Sequence, residues 1–473
     1  MRKYLFFICT ILTLKVYGQL PTGQQSKFDE LFKSWNSRVS PGAALGIIKD
    51  GKLVYSKGYG MADLEHDVPI TDSTIFYIGS VSKQFVTMCL LLLEEQGKLN
   101  LDDHVQKYFP DFPEYSAPVT IRHFIHHTSG VRDNLTLWTL AGNDILDHID
   151  KEEMYQLIRR QKELNFTPGE QYLYSNSCYF MLGLIIEKIS GESLREFAHK
   201  NIFAPLRMYN TFIGDDNTRI IKNRAFSYEK SEDGFKNQIM RYDLVGSGGI
   251  YSNIRDLYFW DQNFYHNKLG KGSQALIEKM HTEGMLNNGK SSGYAFAINN
   301  GAYRGLKTVS HGGALASYRS FLLRFPEQKV SVIILGNVTP ISIGKLPYDV
   351  ADIMLKKQLN PLPPDNTSLT TVNTTKEEKK EFPAGDAKQY LGSFYSEELD
   401  ITYHVTEKNN QLYCSLKGKQ PVTLRPESQD LFTNGDILRL AVLRLNFERN
   451  NQNQIIGFVV NAGRVTNLKF KRK

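Results

Sequence analysis

The segment Ile78-Gly79-Ser80-Val81-Ser82-Lys83 is followed by an apolar run over residues 84–97, and the rest of the chain is organised around this stretch. Gly79 permits a tight entry, and Ser80 is a favourable residue for the start of a helix. The apolar positions that follow predict a mostly buried helix that ends at Gly97. Ser80 and Lys83 are three residues apart, which brings their side chains to one face of that helix.

A serine and a lysine in this arrangement can form a nucleophile and its base. Free backbone N–H groups at a helix N-terminus favour negative charge on the Ser80 oxygen. A partly desolvated Lys83 amine loses its proton near neutral pH and can then accept the hydroxyl proton. The spacing alone leaves a second interpretation open, which is a capped buried helix with one solvated lysine.

The composition is that of an ordinary globular protein. The 473 residues are 41% hydrophobic and 23% charged, which excludes disorder of the whole chain and allows two or three domains. The net charge of +7 is too small to indicate nucleic-acid binding, and without Arg2, Lys3 and Lys15 it falls to +4.

The first 18 residues are typical of a secretory signal peptide. Arg2 and Lys3 precede an apolar run over residues 4–14, about half of the roughly 20 residues that a membrane span needs. This predicts export to a bacterial periplasm or to the medium, without a stable membrane anchor. The cysteines after residue 18 show neither metal-site nor disulfide-framework spacing, although a Cys89–Cys178 bridge stays open; they are Cys89, Cys178 and Cys414.

The order of predicted elements indicates one sheet built from both ends of residues 24–360. Asp50-Gly51 separates the short runs 43–49 and 52–58 and predicts a hairpin at an edge of that sheet, against which the Ser80 helix packs. Residues 99–300 alternate helices and loops. Strand patterns and then a helix follow at 294–298, 307–310, 319–325, 329–335 and 346–359. The prediction is an α/β (α+β) fold with an antiparallel sheet flanked by helices and a helical subdomain.

A second domain is predicted at the C-terminal end. Residues 361–384 are rich in proline and polar residues, as linkers are. Residues 385–473 then contain short strand patterns with Asn- and Gly-rich turns, at 399–405, 411–416, 422–425, 438–448, 455–461 and 465–470. They predict an all-β domain, either a small barrel or a sandwich.

Two further motifs follow the serine and lysine in chain order. Tyr174-Ser175-Asn176 lies on a loop before an apolar helix, and His311-Gly312-Gly313 lies at the end of a predicted strand. Together with Ser80-Val81-Ser82-Lys83, they resemble the pattern of the serine β-lactamase and penicillin-binding-protein superfamily. The middle tyrosine makes the chain similar to the class C branch, which includes the CubicO group, D,D-peptidases, D-aminopeptidases and esterases. The C-terminal domain resembles the lipocalin-like domain that often follows such catalytic domains.

The resemblance implies a role for each matched residue. Ser80 would be the acylated nucleophile and Lys83 its proton partner. Tyr174 would lie between the base and the leaving group, and either Lys83 or Tyr174 could be the general base. Asn176 would hold Lys83 and bind a substrate amide.

The strand motif would supply the rest of the site. The backbone N–H of Ala314 would complete the oxyanion hole with that of Ser80, next to His311 and Gly313. Gly312 stands where the family has a hydroxyl residue that helps to hold a substrate carboxylate, which disfavours a β-lactamase or a strict carboxypeptidase. Two residues could replace that donor, Arg319 and Arg324.

No cofactor or metal is predicted. His123 and His127 have the i, i+4 spacing of two zinc ligands, but no third ligand is apparent and a structural role is favoured.

The sequence therefore predicts an exported serine hydrolase that forms an acyl-enzyme on Ser80 with small ester, amide or D-amino-acid peptide substrates. One alternative is a penicillin-binding D,D-peptidase or β-lactamase. Another is a non-catalytic protein that binds cell-wall material or another ligand on the same scaffold. The expected partner is a small molecule or a peptide of peptidoglycan type, and the loops at residues 131–150 and 212–248 are expected to set specificity.

Overall fold

The structure of the chain, a computed structural model, describes residues 20–361, 387–416, 419–436 and 442–473. The α-helices within these ranges are α1 (Thr22–Leu31), α2 (Lys83–Glu95), α3 (Ile121–Ile125), α4 (Asn134–Leu140), α5 (Lys151–Arg159), α6 (Asn176–Ser190), α7 (Leu194–Ala198), α8 (Ile254–Asn263), α9 (Ala275–Met280) and α10 (Leu346–Met354). None of these helices combines the length and the hydropathy that a bilayer crossing requires.

A six-stranded antiparallel sheet forms the centre of the larger domain. The strands up to residue 361 are β1 (Ala43–Lys49), β2 (Lys52–Tyr59), β3 (Met61–Asp63), β4 (Val68–Pro69), β5 (Phe76–Tyr77), β6 (Phe212–Ile213), β7 (Tyr228–Ser231), β8 (Gly234–Asn237), β9 (Ile250–Ser252), β10 (Asn299–Tyr303), β11 (Leu306–Leu315), β12 (Tyr318–Phe325), β13 (Val330–Gly336) and β14 (Val338–Thr339). The sheet has the order β10-β11-β12-β13-β1-β2, and smaller sheets form from β3-β4, β5-β9-β6 and β14-β7-β8.

Alternate side chains of the sheet enter two hydrophobic layers. On β1, Leu45 and Ile47 belong to the layer that contains α1 and α10. Ala44 and Ile48 point the other way, into the large core that contains α2, α6 and α8. The sheet is thus covered on both faces, as the predicted α/β (α+β) architecture requires.

The predicted hairpin and the predicted buried helix are confirmed. β1 and β2 pair antiparallel, with β2 at the edge of the sheet, and α2 is followed by Gly97 in the left-handed conformation. The helix that packs on β1 is α8, whereas the Ser80 segment contacts β11 and β12. Ser80 itself lies in a 3-10 turn, Gly79–Ser82, and not in the α-helix. This turn keeps Ser80 and Lys83 aligned, because a 3-10 helix has three residues per turn.

One strand prediction in the larger domain is wrong. Residues 294–298 are buried but irregular, with Ala297 at a φ of +59°, and the strand β10 begins only at Asn299. A short apolar run can be buried without belonging to a sheet. The final helix of this domain, α10, is shorter than predicted and ends at Met354.

The C-terminal domain is a closed eight-stranded barrel. Its strands, in barrel order, are β15 (Gly392–Ser396), β16 (Ile401–Lys408), β17 (Gln411–Ser415), β18 (Val422–Ser428), β19 (Leu431–Asp436), β20 (Val442–Arg449), β21 (Ile455–Ala462) and β22 (Val465–Arg472). The sequence analysis missed β15 and β19, and the part of its prediction over residues 438–441 lies outside the described residues. Closure removes the free sheet edges that a sandwich would expose.

Two further predictions lie wholly or mostly outside the described residues, the signal peptide at 1–18 and the linker at 361–384. The three cysteines of the described residues, Cys89, Cys178 and Cys414, are free and buried, so the open Cys89–Cys178 bridge is not formed.

Candidate active site

A close contact between the 3-10 turn and strand β11 places Ser80. Gly79 has a left-handed φ of +52°, and a Cβ at this position would lie 2.5 Å from the Ala314 backbone N. A Cβ on Gly313 would lie 2.1 Å from the Ile78 carbonyl oxygen and 2.9 Å from the Ser80 backbone N. Only glycines allow the two backbones to meet here. The backbone N atoms of Ser80 and Ala314 both lie at this junction.

Lys83 is fully buried, and its amine contacts three oxygen atoms. Nζ donates to Ser80 Oγ at 3.1 Å, to Asn176 Oδ1 at 2.9 Å and to the Ser247 carbonyl at 2.6 Å. Burial lowers the pKa of this amine well below its usual value, and the Arg464 guanidinium lowers the pKa further. Such a lysine gives up its proton more readily than a solvated one and can then accept the proton of the serine that it contacts.

Asn176, the first residue of α6, is oriented by Asp133. Asp133 Oδ2 accepts hydrogen bonds from the backbone N of Asn176 at 2.7 Å and from its Nδ2 at 2.9 Å. This arrangement directs the amide oxygen of Asn176 to Lys83. The other carboxylate oxygen caps α4 by accepting from the backbone N and the hydroxyl of Thr136. The sequence analysis missed Asp133, for which the only signal was its position before a helix.

Tyr174 is enclosed by cationic and aromatic groups. Its ring centroid lies 4.9 Å from Lys83 Nζ, 4.7 Å from the Arg464 guanidinium carbon and 4.1 Å from the His127 ring centroid. Burial raises the pKa of the phenol, and the nearby Ser80 hydroxyl and Arg464 lower it by less. The buried Tyr174 hydroxyl has no hydrogen-bond partner among the described residues. At neutral pH, Tyr174 is therefore a protonated phenol beside the serine.

His311 is an uncharged imidazole in this site. Its Nδ1 donates to the Gly312 carbonyl at 2.6 Å, so its Nε2 accepts from the Tyr294 hydroxyl at 2.8 Å. Burial, together with the Lys83 charge, lowers the pKa of His311 to about 4. His311 consequently brings no positive charge to the strand motif at neutral pH.

The two arginines considered as carboxylate donors lie in different places. Arg319 lines the cleft above Ser80, where one of its terminal nitrogens donates to the carbonyls of Ala316 and Tyr318. Arg324 is buried in the core, pairs with Asp261 at 2.5 Å and stacks on the Phe264 ring. Only Arg319 lies where a substrate could reach it.

The two histidines considered as zinc ligands have other contacts. His123 forms a capping box with Thr120 at the start of α3. The His127 ring packs among tyrosines, and its Nδ1 accepts from the Ser175 backbone N. Across the ranges that the structure describes, no three His, Cys, Asp or Glu side chains are placed to hold a metal ion.

A cleft of about 1210 Å³ opens over Ser80, and six aromatic side chains contribute to its lining. Both loops that were expected to set specificity reach it, through residues such as Leu135 of the first loop and Gln238 of the second. The barrel reaches it as well, through Lys419, Gln420, Val422 and Arg464. The aromatic side chains are Tyr77, Tyr172, Tyr174, Tyr242, Tyr294 and Phe321.

Comparison with known proteins identifies the family of this chain. The model of the family described as "Beta-lactamase" matches residues 27–346. The chain belongs to the beta-lactamase family. This beta-lactamase family member is 27% identical over 436 residues to penicillin-binding protein 4* of Bacillus subtilis (strain 168), which covers 85% of this chain and 90% of that protein. It is 28% identical over 298 residues to a D-aminopeptidase of Gluconobacter oxydans (strain 621H), which covers 63% of this chain and 56% of that protein.

Solved structures share the fold of this beta-lactamase family member. The octameric penicillin-binding protein homologue from Pyrococcus abyssi has a TM-score of 0.62 at 24% identity, and the match covers 96% of this chain and 100% of that one. D-amino acid amidase from Ochrobactrum anthropi SV3 has a TM-score of 0.61 at 20% identity, covering 71% of this chain and 99% of that one. The predicted serine β-lactamase-like fold with a C-terminal barrel is confirmed, and the chain is a serine hydrolase by family.

Proposed function

We propose that this class C-like serine hydrolase forms an acyl-enzyme on Ser80 with small ester, amide or D-amino-acid peptide substrates. The observation that carries the proposal is the buried Lys83 amine, 3.1 Å from Ser80 Oγ and held in place by Asn176 and Ser247. Burying an amine without a solvating shell costs free energy. Here the buried amine contacts the Ser80 hydroxyl at the floor of an open cleft. A catalytic role for the amine therefore explains why the free-energy cost of its burial is retained.

The pKa shifts favour Lys83 as the base and Tyr174 as the acid. Burial lowers the pKa of the Lys83 amine and raises that of the Tyr174 phenol, which favours the neutral form of each group. A neutral amine accepts the Ser80 proton while the oxygen attacks the substrate carbonyl carbon. The neutral phenol then donates a proton to the leaving group and is reprotonated by the Lys83 ammonium.

The charge that develops on the substrate oxygen is bound by backbone donors. The N–H groups of Ser80 and Ala314 lie at the junction of the 3-10 turn and β11. Each donor of an oxyanion hole typically contributes about 3 kcal/mol of transition-state stabilisation. Water then attacks the acyl carbon while Tyr174 passes its proton to Lys83 and takes one from the water, and the Lys83 ammonium protonates the Ser80 oxygen as the acyl–oxygen bond breaks.

The substrate class is supported by the family members and by the cleft. One relative is named a D-aminopeptidase and one structural neighbour a D-amino acid amidase. The aromatic walls of the cleft suit an organic acyl or amino-acid side chain.

Covalent labelling tests the nucleophile directly. We expect a fluorescent fluorophosphonate to label the full chain and not the Ser80→Ala variant. The exposed Ser116, which lies outside the cleft, offers the matched control, because Ser116→Ala should be labelled like the parent. Equal labelling of Ser80→Ala and the parent would show that the nucleophile is elsewhere.

A penicillin-binding D,D-peptidase or β-lactamase is the second candidate. It is favoured by the similarity to penicillin-binding protein 4*, which extends over 90% of that protein. Gly312 argues against the family's own way of binding a substrate carboxylate, since this strand position supplies no hydroxyl. A fluorescent penicillin that labels the parent but not Ser80→Ala would support this candidate.

A non-catalytic binding protein on the same scaffold is the third candidate. Measurable turnover of a p-nitrophenyl ester that disappears in both Ser80→Ala and Lys83→Ala would exclude it.

We also propose that the protein is exported, on the basis of the basic and apolar pattern of residues 1–18. Expression of the full chain in a Gram-negative host should place a shortened product in the periplasmic fraction. A chain without residues 2–18 should stay in the cytoplasm. Retention of the full chain in the cytoplasm would contradict this proposal.

A further inference from the structure

The barrel contributes one arginine to the catalytic cleft. Arg464 lies in the turn between β21 and β22 and lines the cleft. Its guanidinium carbon lies 4.7 Å from the centroid of the Tyr174 ring, and its side chain is 44% exposed. Arg464 therefore reaches both the proposed acid of the reaction and the open space above it.

Hydrogen bonds fix this turn to the larger domain. Asn165 donates from Nδ2 to the Arg464 carbonyl at 3.0 Å and accepts from the Thr466 backbone N at 2.8 Å. Arg132, which is fully buried, donates to the Thr466 carbonyl at 3.0 Å and to Glu398 of the barrel at 2.6 Å. The backbone on both sides of Arg464 is thus held. This fixes the position from which the Arg464 side chain extends into the cleft.

The guanidinium keeps its donors free for a ligand. It forms an ion pair with Asp133 across 3.8 Å, which is beyond hydrogen-bond distance and so leaves its N–H donors unused. Both Asp133 oxygens already accept hydrogen bonds, from Thr136 and from Asn176. Among the described residues, nothing accepts a hydrogen bond from the Arg464 side chain, which offers five N–H donors in a fork that matches a carboxylate.

The other cations of the cleft are less suited to a carboxylate. Lys83 is buried and directed to Ser80, and Arg319 already donates to two carbonyls of its own turn. Gly312 supplies no hydroxyl on the strand side. Lys419 also lines the cleft, but its ammonium is a single point charge. The cation that contacts the Tyr174 ring from the barrel is Arg464.

We propose that Arg464 is a specificity-determining residue that binds a carboxylate on the leaving group of the substrate. This inference rests on the proposed function, in which Tyr174 passes a proton to the leaving group. A guanidinium over the Tyr174 ring then lies beside that leaving group. It binds the carboxylate through two parallel N–H···O hydrogen bonds, the strongest pairing that an arginine makes. The preferred substrates are therefore esters or amides whose leaving group is an anion, and the domain that selects them is the barrel.

Two esters with a common acyl group test this assignment. 3-Acetoxybenzoate and its methyl ester both deliver an acetyl group to Ser80 and differ only in the carboxylate of the leaving group. We expect the parent to have the higher kcat/KM for the carboxylate. Arg464→Gln should lower the ratio of the two kcat/KM values about tenfold or more, and Arg464→Lys should restore part of it. Arg425→Gln removes an exposed charge from the same barrel, outside the cleft, and should keep the parent ratio.

Several results of these measurements would overturn the proposed role of Arg464. An equal loss of kcat/KM on both esters would make Arg464 a positioning residue for Tyr174 and overturn the proposal, as would an unchanged ratio. A fall of the ratio in Lys419→Gln but not in Arg464→Gln would move the carboxylate site to Lys419 and also overturn it. Thermal unfolding of each variant establishes that the fold is kept.

Binding without turnover separates this proposal from the proposed function. Calorimetric titration of the Ser80→Ala chain with 3-acetoxybenzoate should give a dissociation constant about tenfold lower than that of the Ser80→Ala/Arg464→Gln chain. Equal affinities would overturn the role of Arg464. If the parent shows no Ser80-dependent turnover of either ester, the proposed function fails, and this titration still decides whether Arg464 binds the carboxylate.

Discussion

The floor of the catalytic cleft and the interior of the barrel are both buried, yet they contain opposite kinds of side chain. The cleft floor holds an amine and an amide, Lys83 and Asn176, in a network of hydrogen bonds. The barrel centre holds stacked rings, with Phe458 4.8 Å from Phe394 and 4.9 Å from Phe470 between centroids. Buried polar groups cost free energy that hydrogen bonds only offset, whereas buried rings stabilise the fold directly.

This difference separates chemistry from stability within one chain. In the proposed mechanism, the polar network of the cleft serves the reaction, and its hydrogen bonds add little net stability to the fold. The rings occupy the barrel centre, so the barrel acts on the cleft from its outer surface, through the turn that carries Arg464. Substitutions in the cleft floor should therefore change activity, whereas substitutions in the barrel interior should change the free energy of unfolding.

Replacing Lys83 should have the largest effect, and on activity alone. Lys83→Met removes the proposed base, and general acid–base groups typically contribute about 10²–10⁴-fold, so kcat/KM for a neutral ester should fall by about 10³-fold. The free energy of unfolding should change little, because relief from burying the amine opposes the loss of its hydrogen bonds. Steady-state kinetics and urea unfolding measure the two effects, with the exposed Lys98→Met as control. Full activity in Lys83→Met would show that Lys83 is not the base of the reaction.

Replacing Phe458 should have the reverse profile. Phe458→Ala leaves a cavity among four neighbouring rings and should lower the free energy of unfolding by about 3–5 kcal/mol. Fluorophosphonate labelling of Ser80 should persist under conditions where the variant is folded. Denaturant unfolding followed by labelling tests both parts. Loss of labelling at an unchanged free energy of unfolding would show that the barrel interior affects the reaction and not the stability, which contradicts the distinction between the two regions.

The two glycines of the strand motif provide a matched pair within the cleft. A Cβ on Gly313 would lie 2.1 Å from the Ile78 carbonyl oxygen, so Gly313→Ala should separate the two backbones and lower kcat by about 10²-fold. A Cβ on Gly312 would lie 3.2 Å from the Phe321 ring, which can move, and 3.7 Å from the Ser320 carbonyl oxygen, an ordinary contact, so Gly312→Ala should lower kcat much less. Steady-state kinetics of both variants test this geometry. A larger loss of kcat in Gly312→Ala than in Gly313→Ala would contradict it.

The smallest expected effect is a shift of the pH profile. Lys83 has a pKa below the usual 10.5, and kcat/KM for a neutral ester should rise with pH as its amine loses the proton. Arg464 is one cause of that lowering, so Arg464→Gln should raise the pKa of Lys83 and move the midpoint of the profile to higher pH. A midpoint that moves to lower pH would show that Arg464 does not act on Lys83 in this way.

The sequence predicts the local part of the site from chain geometry, and it predicts the distant motifs only through their resemblance to a known family. Ser80 and Lys83 meet because three residues make one turn, and the alternation of apolar residues predicts most of the barrel strands. The roles of Tyr174, Asn176, His311, Gly313 and Ala314 remain predictions, although the structure brings these residues together around Ser80.

Other parts of the site leave no local pattern. Ser247 contacts Lys83 through its backbone carbonyl, which no side-chain motif reports. Arg464 stands in an ordinary hairpin turn and becomes part of the cleft only when the barrel packs on the larger domain. The apolar run at 294–298 has the composition of a strand, but it is irregular because Ala297 is in a left-handed conformation.

The buried ion pair between Arg132 and Glu398 has a consequence for how the chain assembles. Either charge alone would be strongly unfavourable in that interface, since an unpaired buried charge costs several kcal/mol. Partial docking of the barrel is therefore disfavoured relative to full docking or full separation. On heating, the barrel should therefore either stay fully docked or be released in one step.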